Sequence, residues 1–137
     1  DVKSGEDVAI KLEPLKVKHP QLLYETKLLE KAEGRGFPKV YWRGTDDEYN
    51  ILVMERLGAS LEELLALCGG RMSLRTVLQL SQQLLQRIQL LHSLGFVHRD
   101  IKAENFLIGW KSNRRVLYAI DLGLARPWRA ESGAHVP

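Results

Sequence analysis

Apolar and polar residues fall into alternation along Val8-Ala9-Ile10-Lys11-Leu12-Glu13, and that period of two predicts a strand ended by Pro14. His19-Pro20 is then predicted to open a helix, with Pro20 in the first turn, where its missing N–H leaves no bond unmade. Leu22, Leu23, Leu29 and Ala32 supply the apolar positions of that helix, and Gly34 and Gly36 stop it. Two strands follow, at 39–43 and 49–55. Gly44-Thr45-Asp46-Asp47-Glu48 between them suits a hairpin connection, because Gly and Asp favour turns. Beyond Gly58 the pattern turns helical. Ser60-Leu61-Glu62-Glu63 has the form of a capping box, and the short helix it starts ends at Gly69-Gly70. Ser73 caps the longest helix, in which Leu74, Val77, Leu78, Leu84, Leu85, Ile88 and Leu91 recur mostly at three- and four-residue spacing until Gly95. Short apolar runs at 96–97, 106–108 and 116–120 then read as small strands separated by polar loops. The expected class is α+β, with a hinge near 55–60 and no internal repeat.

At 137 residues, 45% hydrophobic and 27% charged, the chain has the size and composition of one globular domain, which excludes a disordered tail. No apolar run approaches the ~20 residues a membrane-spanning helix needs, so no membrane partner is expected. The start, Asp1-Val2-Lys3-Ser4, lacks an initiator Met and an apolar signal core, so a cytoplasmic or nuclear location is expected for what reads as part of a longer chain. The net charge of +3 is scattered, with Lys111, Arg114 and Arg115 the nearest approach to a basic cluster. Nucleic-acid binding asks for a concentrated stripe, so those residues read as a solvated loop. The lone Cys68 excludes an internal disulfide and any multi-cysteine zinc site. At the end of a helical pattern it reads as a small buried thiol. Trp42, Trp110 and Trp128 read as packing residues.

The densest cluster of reactive side chains is His98-Arg99-Asp100-Ile101-Lys102-Ala103-Glu104-Asn105, a polar loop bracketed by Val97 and Phe106. Such a loop between short strands can hold Asp100, Lys102 and Asn105 in place yet accessible. Asp121-Leu122-Gly123 follows an apolar strand, which sets Asp121 at a strand end beside a flexible Gly. Asn105 and Asp121 both offer hard oxygens that suit a divalent cation also holding phosphates. Asp100 is suited to accept a hydroxyl proton, and Lys102 to neutralise a transferring phosphoryl group.

These residues resemble the protein kinase signature set. His98-Arg99-Asp100-x-Lys102-x-x-Asn105 is similar to the catalytic loop, and Asp121-Leu122-Gly123 to the metal-binding tripeptide with Leu for the usual Phe. Val8-Ala9-Ile10-Lys11 resembles the strand with the phosphate-binding lysine, and Glu25 lies where its glutamate partner belongs. An isolated Val-Ala-Ile-Lys is weak evidence; four such features in order are strong. The likeness narrows to the casein kinase I family of Ser/Thr protein kinases. It is carried by His19-Pro20-Gln21-Leu22, Glu48-Tyr49-Asn50, Val53-Met54-Glu55, Leu57-Gly58-x-Ser60-Leu61-Glu62, Ser73-Leu74-x-Thr76-Val77-Leu78 and Asn105-Phe106-Leu107. Met72 and Ala103 depart from that pattern, where Phe and Pro are usual.

The resemblance implies a two-lobed kinase fold, incomplete in this chain: a small β-rich lobe over 1–55, a hinge over 55–60 and the start of the helical lobe over 61–137. It implies ATP and Mg2+ as cofactors, proteins with Ser or Thr as substrates, and a monomeric parent. Asp100, Lys102, Lys11 and Glu25 take the catalytic roles, with Asn105 and Asp121 on the metal. Met54 becomes the gatekeeper, Glu55 and Leu57 offer backbone groups to adenine, Ala9 and Leu107 sandwich the base, and Ile120 lines the pocket. His98 braces the loop, while Arg99 is either a solvated charge or a partner of the activation segment. The glycine-rich phosphate loop and later helices would lie outside 1–137, so these residues alone are expected to be inactive and to leave the helix after Ser73 partly uncovered. A pseudokinase or interaction module, and a kinase-like small-molecule phosphotransferase, are the alternatives. The intact polar set argues against the former, and Arg99 with Lys102 favours a protein substrate over the latter.

Overall fold

In the computed structural model, which describes residues 5, 7–34 and 36–129, an antiparallel sheet precedes a mainly helical half. Strand β1 (Val8–Pro14) leads to helix α1 (Leu22–Ala32), then β2 (Val40–Thr45) and β3 (Tyr49–Glu55). Helices α2 (Leu61–Leu67) and α3 (Leu74–Ser93) follow, and then the short strands β4 (Phe96–Val97), β5 (Phe106–Ile108), β6 (Leu117–Ala119) and β7 (Arg126–Pro127). The sheet order is β1-β3-β2, with Ala9 opposite Met54 and Lys11 opposite Leu52. The β2–β3 hairpin turns where Asp46 accepts hydrogen bonds from the amides of Glu48 (2.8 Å) and Tyr49 (2.6 Å), the Asx geometry that Asp provides readily. Among the described residues β3 is the one strand of this sheet paired on both sides, and it carries the fully buried Leu52.

The inward face of β1 is polar. Lys11 and Glu13 are half-buried, whereas Ile10 and Leu12 are 61% and 55% exposed. Alternation gives the period of a strand but not which face turns inward, and here two charges take the inner one. Helix α1 begins two residues later than expected, at Leu22, with Pro20 outside the helix and Gln21 as N-cap. The Gln21 side chain makes no capping bond. Instead the Glu13 carboxylate accepts from the amides of Gln21 (2.6 Å) and Leu22 (3.0 Å), satisfying two groups that every helix start leaves orphaned.

Both serine caps form as expected. Ser60 Oγ accepts from the Glu63 amide, and Glu63 returns a bond to the Ser60 amide at 2.7 Å. Ser73 Oγ accepts from the Thr76 amide at 3.2 Å. The apolar positions of α3 divide between two faces. Leu91 is buried, and Leu84 and Ile88 pack against the core, while Leu74, Val77, Leu78 and Leu85 face outward. Gln83 grips β6 through both ends of its amide, accepting from Leu117 N (2.9 Å) and donating to Arg115 O (3.1 Å). Arg87 adds a bond to Leu117 O at 2.9 Å, so one helix face secures the β5–β6 hairpin.

One core runs from Leu29 and Leu52 through Phe37 to Leu91, Phe106 and Leu122. No helix among the described residues is long and apolar enough to cross a membrane. Two expectations are corrected. Cys68 is exposed, because α2 ends in a surface turn. Trp42 is 52% exposed and lies over Gly44, where a side chain would collide with its ring, and the exposed Trp110 stacks on Arg56. Strand β7, which closes on β4, carries no apolar alternation to announce it.

Candidate active site

Three segments far apart in sequence meet at Lys11. Its Nζ lies 2.7 Å from Glu25 Oε2 on α1 and 3.1 Å from Asp121 Oδ1 after β6. Glu25 is 2% exposed while the Lys11 side chain keeps 39% of its surface, so the pair is half-buried, closed to solvent on its carboxylate side. Burial alone would lower the Lys11 pKa, but Glu25 and Asp121 outweigh it and hold the ammonium above its ordinary value. Burial pushes the Glu25 carboxyl up, with Lys11 pulling the other way. The Leu122 amide also supports Glu25.

The loop from His98 to Asn105 forms a second cluster. Asn105 Nδ2 donates to the backbone oxygen of Asp100 (2.9 Å) and to its carboxylate (2.8 Å). Lys102 Nζ lies 3.0 Å from Asp100 Oδ2. The hydrogen bonds from Lys102 and then Asn105 hold the Asp100 carboxyl below its ordinary range, and Asp100 in turn raises Lys102. His98 is buried and braces the loop. The Asp100 amide can only donate, so His98 Nδ1 accepts (3.3 Å) and Nε2 carries the proton toward Ile120 O (3.2 Å). Burial lowers the His98 pKa, which keeps this imidazole neutral. Arg99 is exposed, at a left-handed φ of 68°, with no ion pair among the described residues.

The two clusters join through backbone, with Ile120 N donating to Asn105 O at 3.0 Å. Asp121 also adds to the upward push on Lys102. Both Asn105 and Asp121 keep an oxygen free of these bonds: the Asn105 amide nitrogen is the atom Asp100 engages, and Lys11 meets only Oδ1 of Asp121. Hard oxygens of this kind fit a magnesium ion. Among the described residues no group of three or more His, Cys, Asp and Glu gathers as a metal cage.

Residues 55–60 connect the sheet to the helices. The amides of Glu55 and Gly58 are bonded to Lys39 O and Ile108 O, each at 2.8 Å, with Arg56 and Leu57 between them. Ser60 bridges to Leu107, which sets β5 against this connection. Ala9, Met54, Leu57, Leu107 and Ile120 are all half-buried. A groove of about 780 Å³ lies elsewhere, lined by residues of α1, the end of α3 and the β4–β7 pair. It contains none of these groups.

A family model for the protein kinase domain matches residues 1–136. The chain belongs to the protein kinase family. Its mixed α+β fold, a small sheet followed by helices, is the one the resemblance implied. Members of this transferase family generally use ATP and Mg2+, and the oxygen donors described above suit that pair.

Two supports of this kinase site escaped the sequence. One is the Glu13 cap on α1. The other is Glu55, whose carboxylate accepts from the buried Tyr118 hydroxyl (3.2 Å) and the Lys39 amide (3.2 Å). Neither pair has a local spacing that would reveal it, since the partners are brought together by the fold alone.

Proposed function

We propose that this chain carries the nucleotide-handling and catalytic-loop residues of a Ser/Thr protein kinase of casein kinase I type. The observation that carries the reading is the convergence of Lys11 with both Glu25 and Asp121, the latter 110 residues away, beside a loop in which Asn105 and Lys102 orient Asp100. Short motifs matched by chance would have no reason to meet.

In this reading the hinge backbone at Glu55 and Leu57 receives adenine, with Ala9 and Leu107 on its faces and Met54 and Ile120 deeper in the pocket. Lys11, held charged by its carboxylates, positions the α- and β-phosphates. Asn105 and Asp121 hold magnesium, which when bound offsets charge on the phosphates. Asp100 accepts the proton of a substrate hydroxyl as its oxygen attacks the γ-phosphorus and the bond to the β-phosphate oxygen breaks, leaving ADP. Its lowered pKa keeps Asp100 ionised, so the carboxylate both orients the hydroxyl and is available to take its proton. Lys102, beside it, balances charge on the group in flight.

The test is Asp100→Asn in the full-length protein, assayed with an acidic protein substrate. Phosphoryl transfer should fall by about 10²–10⁴-fold, the range for losing a positioned base, while ATP affinity stays within about twofold. Full turnover by that variant overturns the assignment.

A further inference from the structure

Lys11 and Glu13 stand on the same face of β1, two residues and so about 6.6–6.8 Å apart along the strand. Glu25 stands three to four residues beyond Leu22 and Gln21 on α1, about 4.5–6 Å along the helix axis. The two spacings nearly match, and both points are bonded. Lys11 meets Glu25 at 2.7 Å, and Glu13 accepts from Gln21 N at 2.6 Å and Leu22 N at 3.0 Å. A helix joined to a strand at one point can swivel about it; a second bond removes that freedom.

The Glu13 end is itself anchored. Asn50 on β3 donates to Glu13 Oε2 at 3.2 Å, and Thr45 on β2 donates to Asn50 Oδ1 at 3.2 Å, so all three strands of the sheet support the cap. On the other side Gln21 packs against Gly123, where an added Cβ would come within 2.7 Å of the Gln21 side-chain oxygen. The start of α1 is therefore the place where the Lys11 strand, the Glu25 helix and the Asp121 loop touch. Gln21 contributes no cap of its own, so without Glu13 the first amides of α1 lose the acceptor they now have.

We infer that Glu13 is a positioning residue: by capping α1 from the strand face that bears Lys11, it keeps Glu25 on Lys11. Its consequence for phosphoryl transfer rests on the proposed role of that pair.

The experiment reads the pair directly in the full-length protein. A water-soluble acetylating ester is applied, and the labelling of Lys11 is measured by mass spectrometry against exposed Lys16. Glu13→Ala should raise the ratio about fivefold, the factor that one lost cap corresponds to. Glu13→Gln, which keeps an oxygen acceptor for both amides, should stay within about twofold of the parent. Glu25→Ala sets the ceiling, and adding Glu13→Ala to it should raise the ratio no further. A cap that merely stabilises α1 would lower the unfolding temperature without moving the ratio. Glu13→Asp, a milder change, gives the same readout if the alanine variant does not fold. An unchanged ratio in a folded Glu13→Ala or Glu13→Asp variant overturns the inference. Phosphoryl transfer, followed in parallel, should fall in kcat in the same order as the ratio rises. If labelling moves and kcat does not, Glu13 holds the pair as inferred and it is the phosphate-positioning role of the pair that fails.

Discussion

Leu122 sits between Asp121 and Gly123 with no exposed surface, inside the core that also contains Phe106 and Leu91. Leu122→Ala deletes three buried carbons, and at roughly 0.8 kcal/mol each the lost transfer energy is about 2.4 kcal/mol. The cavity left among rigid neighbours adds to this, so a destabilisation of about 3–4 kcal/mol is expected, within the range seen for such changes. In the full-length protein each kcal/mol moves Tm by about 2–4 °C, giving a fall of roughly 6–16 °C. Leu122→Phe is the more telling partner, because Phe is the residue this family usually carries there. In a core closed to solvent, a ring in place of an isobutyl group forces neighbours off their rotamers at about 1–3 kcal/mol. Both variants should be measured by urea and thermal unfolding, with near-UV and far-UV signals compared for coincidence. The backbone bond at this position, Ala125 N to Leu122 O at 3.0 Å, survives either change, so the losses report packing. A cost below about 1 kcal/mol for Leu122→Ala would refute the claim that Leu122 is tightly packed.

Glu13, Asp46, Glu63 and Asp100 all have carboxyls held below their ordinary range by hydrogen bonds received in the folded state. Below the ordinary carboxylate range the unfolded chain binds more protons, so stability present at neutral pH is lost as pH falls through the depressed values. Glu25, pushed up by burial, acts with the opposite sign. Urea midpoints measured from pH 7 to 3 should therefore decline, less steeply in Asp46→Asn, and an identical slope in that variant would count against its turn bonds. His98 should resist protonation below its ordinary pKa and show the Nε2–H tautomer by nitrogen NMR; a normal titration would contradict its burial.

Periodicity and punctuation made most of the elements legible. The hairpin at Asp46, the capping box at Ser60 and the stop at Gly95 each depend on residues within a few positions of one another. What the pattern left out lies at longer range. The inward face of β1 is polar because Lys11 and Glu13 have partners on α1, 14 and 8 residues further on, beyond the period-two pattern of the strand itself. The same holds for the start of α1, where Pro20 looked like the first helical residue but the cap comes from a strand eight residues earlier. The outward half of α3 could not be told from the inward half, since Leu78 and Leu84 differ only in what they face. The Lys11–Glu25 pair was legible from the motif, whereas the bonds of Lys11 to Asp121 and of Asn105 to Asp100 were not.

The short strands that flank the candidate catalytic loop pair over only two or three residues, too few to fix a side chain by ladder bonds alone. Two of the backbone positions involved, Arg99 at φ 68° and Asp121 at φ 59°, lie in the left-handed region, which costs a non-glycine residue roughly 1–2 kcal/mol. Such turns persist where their surroundings over-determine them. A single imidazole does this for both: His98 Nδ1 holds the amide of Asp100, directly after Arg99, and Nε2 holds the carbonyl of Ile120, directly before Asp121. Asn105 closes the triangle, bonding Asp100 through its side chain and Ile120 through its backbone oxygen. The neutral His98 ring is thus the inner support of the loop rather than a reacting group. Its burial and its lowered pKa serve the same end, since a protonated ring could not accept from Asp100 N.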